Sequence, residues 1–555
     1  MGSTMGVNIA VELRAMSRRI PHKRAIVEMT GIDGSGRPLY RHLTFAQLEA
    51  ESDRVARGFL RAGIGPGMRT ILFVTPGIDF AVTTFALFKV GAVIVMIDPG
   101  IGPRSLGICI NEVEPAAFIG VPKAQIARIL FGWGRRSIRT TVTVGYRLFW
   151  GGYNLDDLRD EGCEPFPIQM TDPGAMAAIL FTSGSTGVAK GAVYSHRIFC
   201  AQVEYLRKIW HFGQDDVDLA TFPLFALFDP VLGVTAVIPL MDASRPVSAD
   251  PAVLLRAVDD CGCTQMFANP ILIDKIGRFG ESRGIRLSML RRVISAGAPV
   301  RSDSLQRFQK LLPDDAQTFT PYGATEALPV SSIGSREILH ETAVATAKGE
   351  GVCVGTPNPH VAVRIIRITD EPIPVWSDDL VLPEGEIGEV VVRGDVVTRE
   401  YWRRPDRTRA AKIVQGDEVW HRMGDLGRFD PMGRLWFFGR KDHRVVTSQG
   451  TLYTVACEAI FNAHPAVFRS ALVGIGPRGA ERPVIVVELL PEKRRHDRRR
   501  LRDELRARGA AWSHTTYIDD FLVHRGFPVD VRHNAKIDRH RLAAWAALQV
   551  RRRMG

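Results

Sequence analysis

The N-terminal three quarters of the chain alternates short apolar runs with longer amphipathic segments. The runs RTILFV (69–74) and AVIVMI (92–97) are typical of strands that are buried on both faces of a sheet. Between them, residues 78–90 have the length and composition of a helix. This alternation of buried strand and helix predicts a parallel sheet that is covered by helices on both faces.

The same alternation resumes after residue 170. We predict a strand at AAILF (177–181), a helix over 196–210, and strands at 219–222 and 291–297. The fold class is therefore α/β, with doubly wound sheets in a large N-terminal domain.

A capping box marks the start of one helix. Thr44 and Gln47 have the spacing at which two side chains and two backbone N–H groups satisfy each other. The residues that follow place Leu48, Val55 and Phe59 on one face. We predict that this helix packs on the sheet through that face.

The pattern changes from Gly385, where short strands are separated by Gly and Asp turns, as is typical of β-hairpins. Residues 443–555 then form a small basic unit with predicted strands at 471–476 and 484–490. The sequence thus predicts an N-terminal domain over 1–438, a hinge over 439–442 and a C-terminal domain over 443–555.

Composition agrees with a soluble globular protein. The chain has 555 residues, of which 45% are hydrophobic and 24% charged, which excludes collagen-like, disordered and multi-span membrane classes. The seven cysteines are scattered, so we expect no disulfide framework and no metal at Cys261 and Cys263. The first 16 residues lack an apolar core of signal-peptide length, so we expect a cytoplasmic protein.

Positive charge is concentrated near the C-terminus. The net charge is +12, and residues 439–555 contain 23 lysines and arginines against 12 aspartates and glutamates. Three interpretations stay open: a solvated face, docking to an acidic partner or membrane surface, and a nucleic-acid interface. Aspartates and glutamates alternate with the basic residues and no aromatic residues are interleaved, which favours the solvated face and no nucleic acid.

One glycine-rich segment has the composition of a phosphate-binding loop. TSGSTGVAKG (182–191) follows a predicted buried strand directly, so its glycines let backbone N–H groups converge on an anion. Its hydroxyls and its lysine add donors and charge. The predicted phosphate-binding residues are Thr182, Ser183, Gly184, Ser185, Thr186, Gly187 and Lys190.

With this loop, the chain resembles the adenylate-forming superfamily, which includes acyl-CoA synthetases, luciferases and nonribosomal adenylation domains. Five further motifs follow in the order of that superfamily: SAGAP (295–299), YGATE (322–326), MGDLG (423–427), GRKDHR (439–444) and HNAKIDR (533–539). The resemblance implies a distorted β-barrel subdomain within the N-terminal domain, and a mobile α+β C-terminal domain.

The resemblance also implies a role for each motif. Tyr322 would stack on the adenine of ATP, Asp425 would hold the ribose hydroxyls, and Arg440 would contact the nucleotide. Asp442 would be the hinge residue between the domains. The other residues implied in nucleotide binding are Gly297, Ala298, Pro299, Gly323 and Thr325.

Three residues are implied in catalysis. Glu326 and Thr186 would bind Mg²⁺, since hard oxygen ligands suit that ion. Lys536 would stabilise the charge that develops as a carboxylate attacks the α-phosphate of ATP. ATP and Mg²⁺ are therefore the expected cofactors.

Several positions depart from the pattern of many acyl-CoA synthetases. FPLFALFDPVLG (222–233) has Ala226 where those enzymes carry a histidine near the acyl and pantetheine entrance. After the hinge, residues 445–460 lack the usual basic residue and proline, although Glu458 is present. Met423 replaces the usual threonine. These departures weaken the prediction of a coenzyme A ligase.

The segments FALFDP, TPYGATEALPV and GFPVDVRHNAKIDR, and the aromatic, basic residues 130–152, resemble the olefin β-lactone synthetase branch of bacterial long-chain hydrocarbon biosynthesis. The resemblance implies ATP-dependent conversion of a long-chain 2-alkyl-3-hydroxyalkanoate to a β-lactone, with release of AMP and pyrophosphate. The expected acyl pocket consists of Phe222, Phe225, Ala226 and Phe228.

Other interpretations stay open at this point. The chain could be a long-chain fatty acid–CoA ligase or a fatty-acyl-AMP ligase, or a catalytically silent ATP-binding scaffold. Other enzymes of an olefin-biosynthesis assembly and a membrane surface are the partners considered. Three histidines are candidate bases for the β-hydroxyl: His196, His421 and His443.

Overall fold

The computed structural model describes five stretches of the chain, without the side chains of residues 182, 225, 226, 553 and 554. The described stretches are 6–182, 189–222, 225–494, 496–529 and 537–554.

Twenty-six strands lie in the described residues. In chain order they are β1 Arg24–Ile32, β2 Pro38–Thr44, β3 Arg69–Phe73, β4 Val93–Met96, β5 Ala117–Gly120, β6 Thr140–Thr143, β7 Tyr153–Asn154, β8 Met176–Thr182, β9 Lys190–Ser195, β10 Val217–Ala220, β11 Thr235–Ile238, β12 Gln265–Phe267, β13 Arg292–Ile294, β14 Gln317–Ala324, β15 Ala327–Gly334, β16 Val352–Pro357, β17 Ala362–Ile366, β18 Gly388–Arg393, β19 Lys412–Gln415, β20 Glu418–Phe429, β21 Leu435–Arg440, β22 Val445–Thr447, β23 Gly450–Leu452, β24 Val467–Ile475, β25 Arg482–Leu489 and β26 Asp520–His524.

Sixteen α-helices lie in the same residues. They are α1 Ala10–Arg19, α2 Phe45–Arg61, α3 Ile78–Lys89, α4 Pro103–Val113, α5 Pro122–Leu130, α6 His196–Trp210, α7 Phe225–Leu232, α8 Pro251–Cys261, α9 Pro270–Glu281, α10 Ser302–Gln309, α11 Ser335–Glu337, α12 Ala343–Ala347, α13 Pro405–Ala411, α14 Thr454–Asn462, α15 Arg498–Ala510 and α16 Arg539–Met554.

The first large sheet has seven strands in the order β7-β6-β5-β3-β4-β8-β9. All neighbours are parallel except β8 and β9, which form an antiparallel pair. The carboxyl ends of β3 to β6 and of β8 therefore lie along one edge of this sheet. The predicted phosphate loop follows β8, so the predicted nucleotide site begins at that edge.

The second large sheet has a parallel part and an antiparallel part. Strands β1, β11, β10, β12, β13 and β14 are parallel neighbours in that order. From β14 the path continues antiparallel through β15, β16, β21, β20, β18 and β17, and β19 pairs with β20. Parallel strands with helical crossovers confirm the α/β class that the alternating pattern predicts.

The hairpin-rich strands do not close into a barrel among the described residues. Strand β16 pairs with β21 on one side and with β15 on the other, at Ser331–Pro357 and Ser332–Thr356. Both edges of β16 are therefore used. At the end of the path, β17 pairs with β18 and, on its other edge, forms an isolated bridge between Ile366 and Val381. The antiparallel strands of the implied subdomain thus continue the second large sheet without a closed ring among the described residues.

The last fifth of the chain has its own apolar cores. One core includes Phe461, Leu501 and Phe521, and a second includes Leu522 and Leu542. Both consist of residues between 445 and 550, around the three-stranded sheet β24-β25-β26. The boundaries 1–438, 439–442 and 443–555 stay a prediction.

One predicted cap and one predicted helix are confirmed, and one predicted strand is shorter than expected. The capping box is present, because the Thr44 side chain accepts from the N–H of Gln47 and the Gln47 side chain accepts from the N–H of Thr44. The helix predicted over 196–210 has those bounds. The strand predicted over 291–297 ends at Ile294, and Gly297 lies at φ +99°, outside any strand.

Two findings bear on the class of protein. Within the described part of the chain, no helix is both long enough and apolar enough to cross a membrane. The cysteines are free thiols, and all but Cys163 and Cys200 are buried.

Candidate active site

Strand register brings Asp425 and Arg440 together. They are paired positions on β20 and β21, and Arg440 Nη1 lies 2.8 Å from Asp425 Oδ1. The same guanidinium donates to the carbonyl of Met423 at 3.0 Å. The charge of Asp425 is the main cause that raises the pKa of Arg440 above its ordinary value. The pair therefore holds a buried carboxylate next to a permanent positive charge.

Tyr322, on strand β14, completes this group. Its hydroxyl donates to Asp425 Oδ2 at 2.7 Å, so both oxygens of Asp425 accept a hydrogen bond. Burial, followed by the charge of Asp425, raises the pKa of Tyr322 well above its ordinary value. The tyrosine is thus a neutral donor, and the motifs YGATE and MGDLG meet at one place.

Glu326 lies in the two-residue turn Thr325–Glu326 between β14 and β15. Its Oε1 accepts a hydrogen bond from the hydroxyl of Tyr401 at 2.6 Å, and both residues are buried. Burial and the charge of Glu326 raise the pKa of Tyr401. Tyr401 therefore acts only as a donor and orients the carboxylate.

Lys190 approaches the same tyrosine from β9. Its Nζ lies 5.0 Å from the centroid of the Tyr401 ring, within the range of a cation–π interaction. Burial lowers the pKa of Lys190, and the charge of Glu326 opposes that shift. Tyr401 thus links the end of the predicted phosphate loop to the predicted metal ligand.

A second lysine lies behind Glu326. The Thr398 N–H donates to the carbonyl of Glu326 at 2.9 Å, and Lys412 Nζ donates to the Thr398 carbonyl and, at 3.2 Å, to its hydroxyl. Lys412 is buried, and this burial lowers its pKa to about 7, against the charge of Glu326. The turn that carries Glu326 is therefore supported by a lysine whose charge is sensitive to pH.

At two positions of the predicted site, local geometry explains why the residue is glycine. A Cβ on Gly323 would lie 2.7 Å from the carbonyl oxygen of Ala327, across the β14–β15 hairpin. Gly297 adopts φ +99°, a conformation that side chains rarely adopt. The backbone of Thr325 accepts a hydrogen bond from the Tyr194 hydroxyl. Ala298 and Pro299 follow Gly297 outside any strand.

Part of the predicted site lies outside the described residues. Ser183, Gly184, Ser185, Thr186, Gly187 and Lys536 lie outside the described residues, as do the side chains of Thr182, Phe225 and Ala226. Their roles stay predictions.

The two described residues of the predicted acyl pocket differ in position. Phe228 lines a wholly apolar cavity of about 30 Å³ between the first large sheet and helices α6 and α7. Phe222 packs on Phe267 instead, with 5.6 Å between ring centroids. A cavity of this size has room for about one water molecule. An alkyl chain can therefore bind at Phe228 only if the side chains that line the cavity move apart.

The three candidate histidine bases lie in unfavourable surroundings. Burial lowers the pKa of His196 to about 4 and of His443 to about 3, and lowers that of His421 well below its ordinary value. His196 and His421 are also nearly inaccessible to solvent. A base is most effective when its pKa lies near the working pH, so these residues are poor candidates for the general base.

The residues present fit a magnesium site of the kind that uses nucleotide phosphates. Within the described ranges, no group of three or more His, Cys, Asp or Glu could hold a metal by itself. Mg²⁺ commonly binds through one or two carboxylates together with substrate phosphates and water. Glu326 supplies one such carboxylate, which Tyr401 holds in place.

Sequence reasoning missed Tyr401, Thr398 and Lys412. They lie 72 to 86 positions after Glu326, in a segment without a phosphate or metal motif. The YWRRP sequence at 401–405 offered no signal of its own, because a buried tyrosine is common in cores. Long-range pairing, such as that of Ala192 with Tyr401 and of Ala327 with Val397, brings this segment to the site.

Asp442 lies in a short 3₁₀ turn, Lys441–His443, that directly follows β21. The preceding Lys441 donates to the carbonyl of Thr369 at 2.9 Å and to Glu389 at 3.1 Å. Side-chain hydrogen bonds thus hold the chain in place just before Asp442. The hinge at Asp442 stays a prediction.

Comparison with known proteins gives consistent results. The chain is 48% identical over 550 residues to an olefin beta-lactone synthetase of Xanthomonas campestris pv. campestris, with 98% of each chain covered. It is 47% identical to an olefin beta-lactone synthetase of Stenotrophomonas maltophilia, over 98% of this chain and 99% of that one. An acyl-CoA ligase of Aspergillus fumigatus is 26% identical over 78% of this chain and 74% of its own length.

Solved structures agree on the fold. An amide bond synthetase, McbA from Marinactinospora thermotolerans, superimposes with a TM-score of 0.79 at 22% identity, covering 97% of this chain and 99% of that one. The anthranilate CoA ligase AuaEII, in complex with anthranoyl-AMP, has a TM-score of 0.79 at 18% identity, covering 99% and 98%. The family described as AMP-binding enzyme matches residues 13–402. The chain therefore belongs to the AMP-binding, adenylate-forming enzyme family.

Proposed function

We propose that this enzyme converts a long-chain 2-alkyl-3-hydroxyalkanoic acid to a β-lactone, with ATP cleaved to AMP and pyrophosphate. The observation that carries the proposal is the 48% identity, over 98% of both chains, with a protein named olefin beta-lactone synthetase. The contacts around Asp425 and Glu326 support the nucleotide half of the reaction.

In the first step, a carboxylate oxygen of the substrate attacks the α-phosphorus of ATP. A new O–P bond forms, the bond between the α-phosphorus and the bridging oxygen breaks, and pyrophosphate leaves. Asp425, fixed by Tyr322 and Arg440, can accept hydrogen bonds from the ribose hydroxyls. The positive charges of Arg440 and Lys190 favour a polyanion, so this part of catalysis is positioning and electrostatic stabilisation.

Glu326 and Thr186 are the residues proposed to hold Mg²⁺. When bound, the ion would neutralise charge on the phosphates. Tyr401 keeps the carboxylate of Glu326 in one orientation, and Lys536 is proposed to stabilise charge on the α-phosphate from the C-terminal domain. The phosphate-loop residues from Thr182 to Gly187 are proposed to bind the leaving phosphates.

In the second step, the β-hydroxyl oxygen of the same molecule attacks the acyl carbon. A C–O bond forms, the bond between that carbon and the AMP oxygen breaks, AMP leaves with the activated carboxyl oxygen, and the hydroxyl proton is released to solvent. Both reacting groups belong to one molecule, so no second substrate needs to be ordered. Closure of a strained four-membered ring offsets part of this gain.

The acyl chain is proposed to bind along Phe228 and the predicted neighbours Phe222, Phe225 and Ala226. Each buried CH₂ contributes about 0.8 kcal/mol, so a long chain can drive apart the walls of the apolar cavity at Phe228. Association with other enzymes of an olefin-biosynthesis assembly, and with a membrane that holds such a substrate, is part of the same proposal.

Product analysis tests the proposal. The enzyme is incubated with ATP, Mg²⁺ and a long-chain 2-alkyl-3-hydroxy acid, with and without coenzyme A. We expect AMP and a lactone in equal amounts, identified by mass and by the carbonyl stretch of a strained ring, and no dependence on coenzyme A. The matched control is the same acid without the hydroxyl, which should stop as bound acyl-AMP.

Relatives named as CoA ligases, at 26% identity, define the competing function. Rapid conversion of the acid without a hydroxyl to a thioester, in the presence of coenzyme A, would replace the lactone proposal with a ligase. Accumulation of free acyl-AMP from both acids would indicate a fatty-acyl-AMP ligase. Absence of any AMP would indicate a silent scaffold.

A further inference from the structure

The loop between β6 and β7 exposes large apolar side chains. Tyr146 is 88% exposed, Phe149 is 82% exposed and Leu148 is 57% exposed, and Tyr153 at the start of β7 is 43% exposed. A single exposed apolar side chain is ordinary in a soluble protein. Four within eight positions form the kind of surface that marks an interaction site.

This loop is fastened to the sheet at its base. Trp150 Nε1 donates to the hydroxyl of Thr143, at the end of β6, at 2.9 Å. Asn154 Nδ2 donates to the carbonyl of Gly145 at 2.8 Å, and the rings of Phe149 and Trp150 meet edge to face at 5.4 Å. The exposed side chains are thus carried by a loop whose two ends are held.

The segment that carries the loop is rich in positive charge. Residues 115–155 contain six lysines and arginines and no aspartate or glutamate, whereas Asp156 and Asp157 follow directly. Arg147 lies between Tyr146 and Leu148 and donates to the carbonyl of Gly152 within the same loop. Asp242 lies near Lys123, at the start of α5. Aromatic rings and leucine next to arginine suit the headgroup region of an anionic membrane.

The loop lies at the edge of the sheet where the nucleotide site begins. Strand β6 is parallel to β5, β5 to β3, β3 to β4 and β4 to β8, so β6 and β8 end at the same edge. Four strand spacings separate them, about 19 Å. A surface held at this loop would therefore face the side of the molecule on which ATP is proposed to bind.

We infer that residues 144–152 are a docking loop for an anionic phospholipid membrane. Tyr146, Leu148 and Phe149 enter the headgroup region, and Arg147 contacts lipid phosphates. The inference deepens the proposed function and rests on it for its purpose, because a long-chain hydroxy acid collects in bilayers and would reach the enzyme from there.

Vesicle sedimentation with the full chain tests the inference. Vesicles of phosphatidylcholine alone are compared with an equal mixture of phosphatidylcholine and phosphatidylglycerol. We expect the wild type to bind the mixture, and Tyr146→Ser/Phe149→Ser to bind at least roughly tenfold more weakly, since two apolar side chains no longer insert. Arg147→Gln should reduce the preference for phosphatidylglycerol. The matched control Val375→Ser/Met432→Ser removes side chains that are 64% and 69% exposed elsewhere and should bind like the wild type.

Wild-type protein that binds neither vesicle, or a loop variant that binds as well as the wild type, would overturn the inference. A docking surface for another protein predicts the second of these results. Lactone formation from a short, water-soluble 3-hydroxy acid, without vesicles, should be the same in the loop variant and the wild type. That assay separates the two proposals. Absence of lactone together with vesicle binding would contradict only the proposed function, and lactone formation without vesicle binding would contradict only the docking loop.

Discussion

A single hydroxyl group orients the predicted metal ligand. Tyr401→Phe removes the donor that lies 2.6 Å from Glu326 Oε1. Loss of a hydrogen bond to a metal-binding carboxylate ordinarily costs about 10–100-fold in metal affinity or activity. We therefore expect ATP–pyrophosphate exchange by this variant to need roughly that much more Mg²⁺.

The matched control for Tyr401→Phe is Tyr205→Phe. It removes a hydroxyl that donates to the carbonyl of His360, away from Glu326, and should leave the Mg²⁺ requirement unchanged. If Tyr401→Phe required no more Mg²⁺ than the wild type, Glu326 would not be the ligand that we propose.

Lys412 makes stability depend on pH. Burial lowers its pKa from 10.5 to about 7 in the folded protein, whereas the unfolded chain keeps the higher value. Between about pH 7 and pH 10.5 the unfolded state therefore binds more protons at this residue, so the free energy of unfolding rises with pH. Lys412→Met lacks this contribution.

Urea denaturation at pH 7, 8 and 9 measures the effect of Lys412. We expect the free energy of unfolding of the wild type to increase relative to that of Lys412→Met across this range. Parallel pH dependence of the two proteins would mean that Lys412 keeps its charge when folded, and the description of its burial would be wrong.

Lys536 is tested by direct substitution. Lys536→Ala should fold normally and lose adenylation by roughly 10²–10³-fold, as expected when one group that stabilises transition-state charge is removed. Pyrophosphate release is the measurement, and circular dichroism checks the fold. Lys493→Ala, in the same basic C-terminal unit, is the control and should leave the rate unchanged. A rate near that of the wild type in Lys536→Ala would remove this residue from the mechanism.

At the scale of elements, the capping box of α2 gives the clearest prediction. The Thr44 side chain accepts from the N–H of Gln47 at 3.2 Å, and the Gln47 amide oxygen accepts from the N–H of Thr44 at 2.8 Å. Thr44→Ala breaks the first bond and should lower the free energy of unfolding by about 1 kcal/mol. Thr44→Ser keeps the acceptor and should stay within a few tenths of the wild type. Equal losses in both variants would show that packing, and not capping, is affected.

The strength of the local sequence signal explains which helices and strands were predicted correctly. Helices α2, α3 and α6 and strands β3, β4 and β8 carry strong local signals, because each buries one stripe or both faces. No ring of strands closes among the described residues. The pairing of β16 with β21 joins segments that are far apart in sequence, and local patterns do not describe such pairing.

At the scale of the whole molecule, the hinge is the prediction to test. Lys441 donates to Thr369 and Glu389, and we predict that the C-terminal unit rotates at the turn after it. Asp442→Pro restricts φ at that turn, and Asp442→Ala does not. We expect the proline variant to change single-turnover adenylation and overall turnover by different factors, because conformational steps differ between the two reactions. Both rates equal to those of the alanine control would exclude a hinge at this residue.

The sequence by itself determined the family and the nucleotide chemistry. The glycine-rich loop, YGATE and MGDLG are short, contiguous motifs whose residue types are dictated by phosphate, ribose and metal, so they can be recognised without a fold. Glu326, Asp425 and Arg440 were predicted in this way. The α/β class followed from local periodicity for the same reason.

The supporting residues and the exposed loop were decided only by the tertiary structure. Tyr401, Thr398 and Lys412 reach Glu326 through pairing between strands far apart in sequence, and their types carry no motif. Burial, which also exists only in the fold, sets the pKa of Lys412 near 7 and makes His196 and His443 poor bases. Contact and burial are properties of neighbours in space, and local sequence patterns record neighbours along the chain.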